Sequence, residues 1–126
     1  MRKVGQLAAV GSTGNNTHPS VPLTQEIDSM AFEFEITAVG ATPTVTFKFQ
    51  GSSDGPEVPD ASSDFYDLMV LPAASDTALA TDTKTAVGVF EYFNDQERRA
   101  LAKVRVVVSA NTNVTYEAEL YGDVDE

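Results

Sequence analysis

Val45, Phe47 and Phe49 alternate with Thr44, Thr46, Lys48 and Gln50. A period of two sends apolar side chains to one face of a strand and polar ones to the other. Gly51 and the Asp54-Gly55 pair follow at once, residues that accept the positive φ of a tight turn. The same grammar recurs upstream, where Phe32, Phe34 and Ile36 are interleaved with Glu33 and Glu35. Near the C-terminus it returns as Val104, Val106 and Val108, then Val114, Tyr116, Ala118 and Leu120. No segment carries a helical period long enough for an α/β fold.

The spacing predicts strands over 4–10, 30–37, 44–50, 65–71, 85–93, 104–109 and 114–122. A short edge strand is expected over 21–27, where Pro22 bars a central position. Two hairpins follow from the pattern. In the first, residues 38–43 turn the chain so that Phe34 lies level with Phe47 and Glu33 meets Lys48 across the wet face. In the second, a three-residue turn after Val108 puts Lys103 and Arg105 beside Glu117 and Glu119. Asn94 and Glu97 read as a capping box for at most one short helical turn near 94–101. Seven or eight strands of this kind make an all-β fold, a two-sheet antiparallel sandwich.

The 126 residues form one domain, 1–126, with 1–22 as a candidate extended arm because Gly11 to Pro22 is rich in breakers. Nineteen acidic and eight basic residues give a formal charge of −11, which disfavours nucleic acid as a partner. The excess is spread along the sequence and reads mainly as solubility. The apolar run Leu7 to Val10 is too short for a signal-peptide core or a membrane span, so the chain is expected to be made in the cytoplasm and to have no membrane partner. Without cysteine there is no disulfide and no thiolate metal site.

Motifs for chemistry are few. His18, the single histidine, stands in a polar loop without an acid or nucleophile motif and reads as an ordinary loop residue. Gly11-Ser-Thr-Gly14 lacks the Lys-Ser/Thr ending of a phosphate loop. The acidic stretch containing Asp54, Asp60 and Asp64 offers oxygen ligands of the kind calcium takes, but its spacing matches no EF-hand and Pro56 and Pro59 restrict its wrapping. Arg98 and Arg99 are the start of the one basic cluster, suited either to an acidic partner or to local pairing with Glu97, Glu117 or Glu119. Phe90, Tyr92 and Phe93 cannot all point to one face of a strand, so part of that set is a candidate contact. Leu79 is the one large apolar residue of the Ala/Thr/Asp-rich stretch 72–85, a second candidate contact segment. No catalytic residue and no cofactor are expected.

Thr42–Gln50, the Gly51-Ser-Ser-Asp-Gly55 turn, Val104–Ser109 and Val114–Gly122 together resemble a recurrent small protein of tailed-bacteriophage structural modules. About half the chain is covered, mostly by strand and turn residues. In that group an aromatic follows the Asp-Gly closely, whereas here Phe65 and Tyr66 come after an inserted Pro-Glu-Val-Pro-Asp loop. The resemblance implies a jelly-roll-like sandwich and a capsid decoration (cement) or other head-associated protein, located on the virion. Its partner would be the major capsid protein, and it would act as a homo-oligomer, a dimer or trimer. The alternative is a glycan- or ligand-binding sandwich module of a tail or fibre, with calcium in the 54–67 loop.

Overall fold

The computed structural model describes residues 2–23, 27–94 and 101–124. Among the described residues nine strands run β1 (Arg2–Ser12), β2 (Asn16–Thr17), β3 (Val21–Pro22), β4 (Ile27–Ser52), β5 (Tyr66–Asp67), β6 (Val70–Pro72), β7 (Thr81–Lys84), β8 (Gly88–Asn94) and β9 (Lys103–Val124). A 3-10 turn, Asp60–Ser62, interrupts the loop after β4. The helical turn expected near 94–101 falls almost entirely on residues 95–100, outside the described residues.

Two strands dominate. β4 has 26 residues, which laid straight would span about 85 Å at about 3.3 Å per residue. Yet the Phe32 and Phe49 rings, both on β4, stack with centroids 4.5 Å apart. The strand therefore doubles back over itself, and β9 bends with it. The two are antiparallel along their whole length, from Ile27 opposite Val124 to Ser52 opposite Lys103. At the bend the register jumps from Val39–Val114 to Thr44–Thr112. Here the Asn113 side-chain amide donates to the Ala41 carbonyl at 2.6 Å, and Thr42 and Asn113 take φ of 45° and 55°. The result is a ribbon folded into two layers.

One layer contains the first half of β4 and the second half of β9, flanked by β8 and β6 on one side and β1 on the other. The other layer contains the second half of β4 and the first half of β9, flanked by β7 and β5 and by β2 and β3. The fold is an all-β two-sheet sandwich. The inner faces are those the alternation marks: Met30, Phe32, Phe34 and Ile36 against Val45, Phe47 and Phe49, with Val104, Val106, Val108, Tyr116 and Leu120 around them. Phe34 stacks on Phe47 at 3.8 Å and on Tyr116 at 5.2 Å. Aromatic pairs of this kind add roughly 0.5–1.5 kcal/mol beyond the area they bury.

The two predicted hairpins are therefore corrected. Residues 38–43 do reverse the chain, and Phe34 does meet Phe47, but across the core rather than side by side in one sheet. Glu33 and Lys48 then lie on opposite outer surfaces. Lys48 is paired with Asp67 at 3.2 Å instead. The N-terminal segment is no free arm either: β1 lies along β9 from Arg2–Gly122 to Ser12–Tyr116, and β2 and β3 cross to the other layer.

Candidate functional site

The residues singled out by sequence do not gather into one site. Tyr92 is not an exposed contact: it is 1% exposed, in the core, and its hydroxyl donates to the Asp82 carboxylate on the opposite layer. Burial, then this bond and the Asp82 charge, push its phenol far above the ordinary value. Phe90 shares the inward parity of Tyr92 and is half-buried, with the Lys84 ammonium 4.7 Å from its ring centroid. Leu79 packs on the core and trades backbone hydrogen bonds with Val70 at 2.8 and 2.9 Å. The third aromatic, Phe93, is the one turned outward, at 39% exposure. Arg98 and Arg99 lie outside the described residues.

Asp54 and Asp60 are engaged by protein donors. Asp54 accepts from the Asp64 backbone N–H at 2.8 Å and from the Ser52 hydroxyl at 3.4 Å. Asp60 accepts from the Ser20 N–H and hydroxyl at 2.9 and 2.7 Å and pairs with Lys103 at 3.4 Å. The Asp54 bonds hold the 53–65 loop to itself, and the Asp60 bonds tie it to Ser20, between β2 and β3, and to Lys103 at the start of β9. Lys103 itself is buried, donating to the Val58 carbonyl at 2.7 Å and the Ser63 hydroxyl at 2.6 Å, so it does not meet Glu117 or Glu119. Arg105 donates to Gln50 and stacks on Phe65 at 3.6 Å. Among the described residues no group of three or more His, Asp or Glu side chains is placed to hold a metal ion. His18 caps the sandwich rim, its Nε2 2.7 Å from the Tyr116 hydroxyl, and partial burial lowers its pKa.

What the fold does gather is charge. Backbone neighbours in a sheet carry side chains on the same face, and the register sets Glu91, Glu33 and Glu119 in one cross-strand row. Glu35 and Glu117 stand opposite each other in the next row. Five carboxylates thus share the outer face of the β8–β4–β9 layer. Like charges directly opposite destabilise a sheet, and crowding of this kind disfavours the ionised form of each carboxyl. Partial burial, with the charges of Glu119, Glu91 and Glu35, raises the Glu33 pKa. Glu117 is raised first by a hydrogen bond shared with Glu35, then by desolvation and the charges of Glu35 and Glu119. Lys3 offsets part of this, 3.5 Å from Glu119. No cation among the described residues pairs with Glu33 or Glu91.

Above these acids the neighbouring row reads Phe93, Ala31, Tyr121. The small Ala31 between two rings leaves a hollow of about 260 Å³ lined by Ala31, Phe32, Glu33, Glu91, Phe93 and Tyr121. The Tyr121 hydroxyl donates to Glu119 at 2.8 Å, and that bond chiefly pushes its pKa up to about 12. Sequence reasoning missed this face because it assigned cationic partners to Glu33, Glu117 and Glu119 through hairpins that do not form. The available signal was the run of outward glutamates itself.

No protein-family model and no curated protein matches the chain. Among solved structures, the SPBc2 prophage-derived protein YomS matches with a TM-score of 0.61 at 9% sequence identity, over 92% of this chain and 88% of that one. At that identity the likeness shows a shared fold. It extends across both layers of the sandwich, beyond the blocks on which the sequence resemblance rests.

Proposed function

We propose that this protein is a non-enzymatic structural component of a tailed-phage virion that docks on the assembled capsid and stabilises it. The observation that carries this reading is the outer sheet face on which Glu33, Glu35, Glu91, Glu117 and Glu119 are held together against their mutual repulsion. Groups kept at a cost to the fold point to an external role. Folding brings five of the nineteen acidic residues onto one regular sheet surface, suited to a basic patch of the major capsid protein. The fold shared with a prophage-derived protein supports the same setting.

Stabilisation then follows from mass action. A ligand that binds only the assembled shell at 100 times its Kd adds about 2.7 kcal/mol per site. Engagement as a dimer or trimer would multiply the effect through effective concentration. Opposite-charge docking is screened by salt. The test is co-sedimentation of the purified protein with empty shells at micromolar concentration, at low and high ionic strength. Binding that falls with salt, with a raised shell melting temperature, is expected. Failure to co-sediment at low salt removes the proposal. A calcium-dependent ligand module has less support, since Asp54 and Asp60 are committed to protein N–H and O–H donors.

A further inference from the structure

We propose that the hollow over Ala31 is a slot for a single lysine or arginine side chain of a partner protein, its alkyl stem held between Phe93 and Tyr121 and its cationic head set against Glu33 and Glu91. This rests on the docking reading above and names the chemistry of its central contact.

The geometry comes from the register. Phe93, Ala31 and Tyr121 are level on three adjacent strands. Strands lie about 4.8 Å apart, so the backbones bearing the two rings stand about 10 Å apart with only a methyl between them. An alkyl chain needs about 3.5–4 Å to each wall, which is the space that Ala31 leaves. A branched residue such as leucine at this position would push into the floor of the hollow of about 260 Å³ and narrow the space between the rings. Glu33 is two residues along β4, about 6.7 Å away, and Glu91 is level with it on β8. That separation matches the length of a lysine or arginine stem, whose apolar carbons and charged head favour different surroundings.

Both ends of such a side chain are provided for. Aromatic faces attract a cation electrostatically and pack against its methylenes. Beyond them lie two carboxylates without a cation of their own among the described residues. Glu119, the third member of that row, already has Lys3. A neutral apolar knob would satisfy the rings and leave the acids repelling one another; a bare metal ion would leave the rings unused. A cationic side chain satisfies both. The raised pKa of Glu33, due to burial and then to Glu119, Glu91 and Glu35, is the condition that a bound cation would reverse.

The experiment uses the isolated protein and two probes, Nα-acetyl-lysine N-methylamide and its arginine counterpart, followed by amide ¹H–¹⁵N shifts at neutral pH and low salt. Saturable shifts confined to the amides around Ala31, Glu33, Glu91, Phe93 and Tyr121 are expected. For ligands of this size the Kd should be on the order of millimolar to ten millimolar. Ala31→Leu, which plugs the slot, should weaken binding at least roughly fivefold, and Glu33→Gln roughly threefold. Glu117→Gln, on the same face but outside the slot, should stay within about twofold of the parent. Each variant is compared by its own dispersed spectrum, and Glu33→Gln serves if Ala31→Leu does not fold. Shifts that spread over the face without saturating, or equal losses in Glu33→Gln and Glu117→Gln, overturn the slot in favour of diffuse charge attraction. Because shells are absent, a slot that binds the probe stands even if co-sedimentation fails, and an empty slot leaves shell docking to be judged by sedimentation alone.

Discussion

Phe34 and Phe47 lie face to face at 3.8 Å with their ring planes 2° apart, although both belong to one continuous strand. The contact joins the two layers of a ribbon folded at Gly40–Pro43, and Phe32 on Phe49 repeats it one step along. Phe47→Ala should therefore cost about 3–5 kcal/mol, since it empties the centre of the core. Phe34→Ala should cost a similar amount. The double variant should be less destabilised than the sum by about 0.5–1.5 kcal/mol, the pairwise part of the stack. Urea unfolding of the four proteins measures this, and strict additivity would show that the rings do not depend on one another.

The alternation made the core legible. It identified Phe32, Phe34, Ile36, Val45, Phe47 and Phe49 as inward, and it found the reversal near 38–43. It could not decide what the halves do after reversing. A hairpin and a folded ribbon put the same residues inward and the same pairs level; only the hydrogen-bond partner differs, and that partner is β9, far along the chain. Every outward pairing inferred from the hairpins failed with them, which is why the glutamate face stayed hidden. Lys103 was misjudged for another reason. Its parity is outward, but the 53–65 loop folds over it and supplies acceptors, a tertiary event that no local pattern announces. Phe93 and Tyr92 show the same limit on a small scale: parity separated them, but only the sheet's position said which side was wet.

Lys103 anchors that loop. Replacing it by alanine removes a buried side chain, takes the ammonium donor from the Val58 carbonyl and the Ser63 hydroxyl, and leaves the Asp60 carboxylate with Ser20 but without its cation. The expected loss is about 3 kcal/mol. Asp60→Asn keeps an oxygen that can accept from Ser20 and Lys103, so about 1 kcal/mol is expected. Limited proteolysis gives the local readout: the 53–65 segment should be cut much faster in Lys103→Ala than in the parent. Equal cutting rates would mean that the loop is held by something other than this lysine.

The bend carries backbone strain that can be relieved. Thr42 is β-branched and sits at φ 45°, a region in which such residues are rare. Asn113 on the facing strand has φ 55°, but asparagine tolerates it and here bonds to Ala41. Thr42→Asn should therefore raise stability by about 0.5–1 kcal/mol, whereas Asn113→Ala should lower it by about 1–2 kcal/mol through strain and a lost bond. Thermal unfolding of both variants tests this. A destabilised Thr42→Asn would show that the threonine side chain earns its place by a contact that outweighs its backbone.

Opposed titrations should give the protein a stability maximum on the acid side of neutral. Glu33 and Glu117 have pKa values raised in the folded state above the usual 4.5. The native protein then binds protons before the unfolded chain does, so stability increases as pH falls through the folded values, and the gain is complete below about 4.5. Asp60 and Asp67 behave oppositely. At Asp60 partial burial pushes the pKa up, but the hydrogen bonds from Ser20 and Lys103 outweigh it and hold the carboxyl below the usual 3.8. At Asp67 the bond from Gln50 lowers it, with Lys48 adding to the effect against some desolvation. Their contribution is present above about 3.8 and is lost as pH falls through the depressed values. Urea midpoints measured from pH 8 to 3 should climb to an apex near pH 4–5 and then drop. Glu33→Gln and Glu117→Gln should flatten the climb by raising stability at neutral pH, and Asp60→Asn should shallow the drop. His18, whose pKa burial holds below the usual 6.5, works against the climb, so a midpoint that declines steadily from pH 7 downward and does not respond to Glu33→Gln or Glu117→Gln would mean that the glutamate face is not under electrostatic strain.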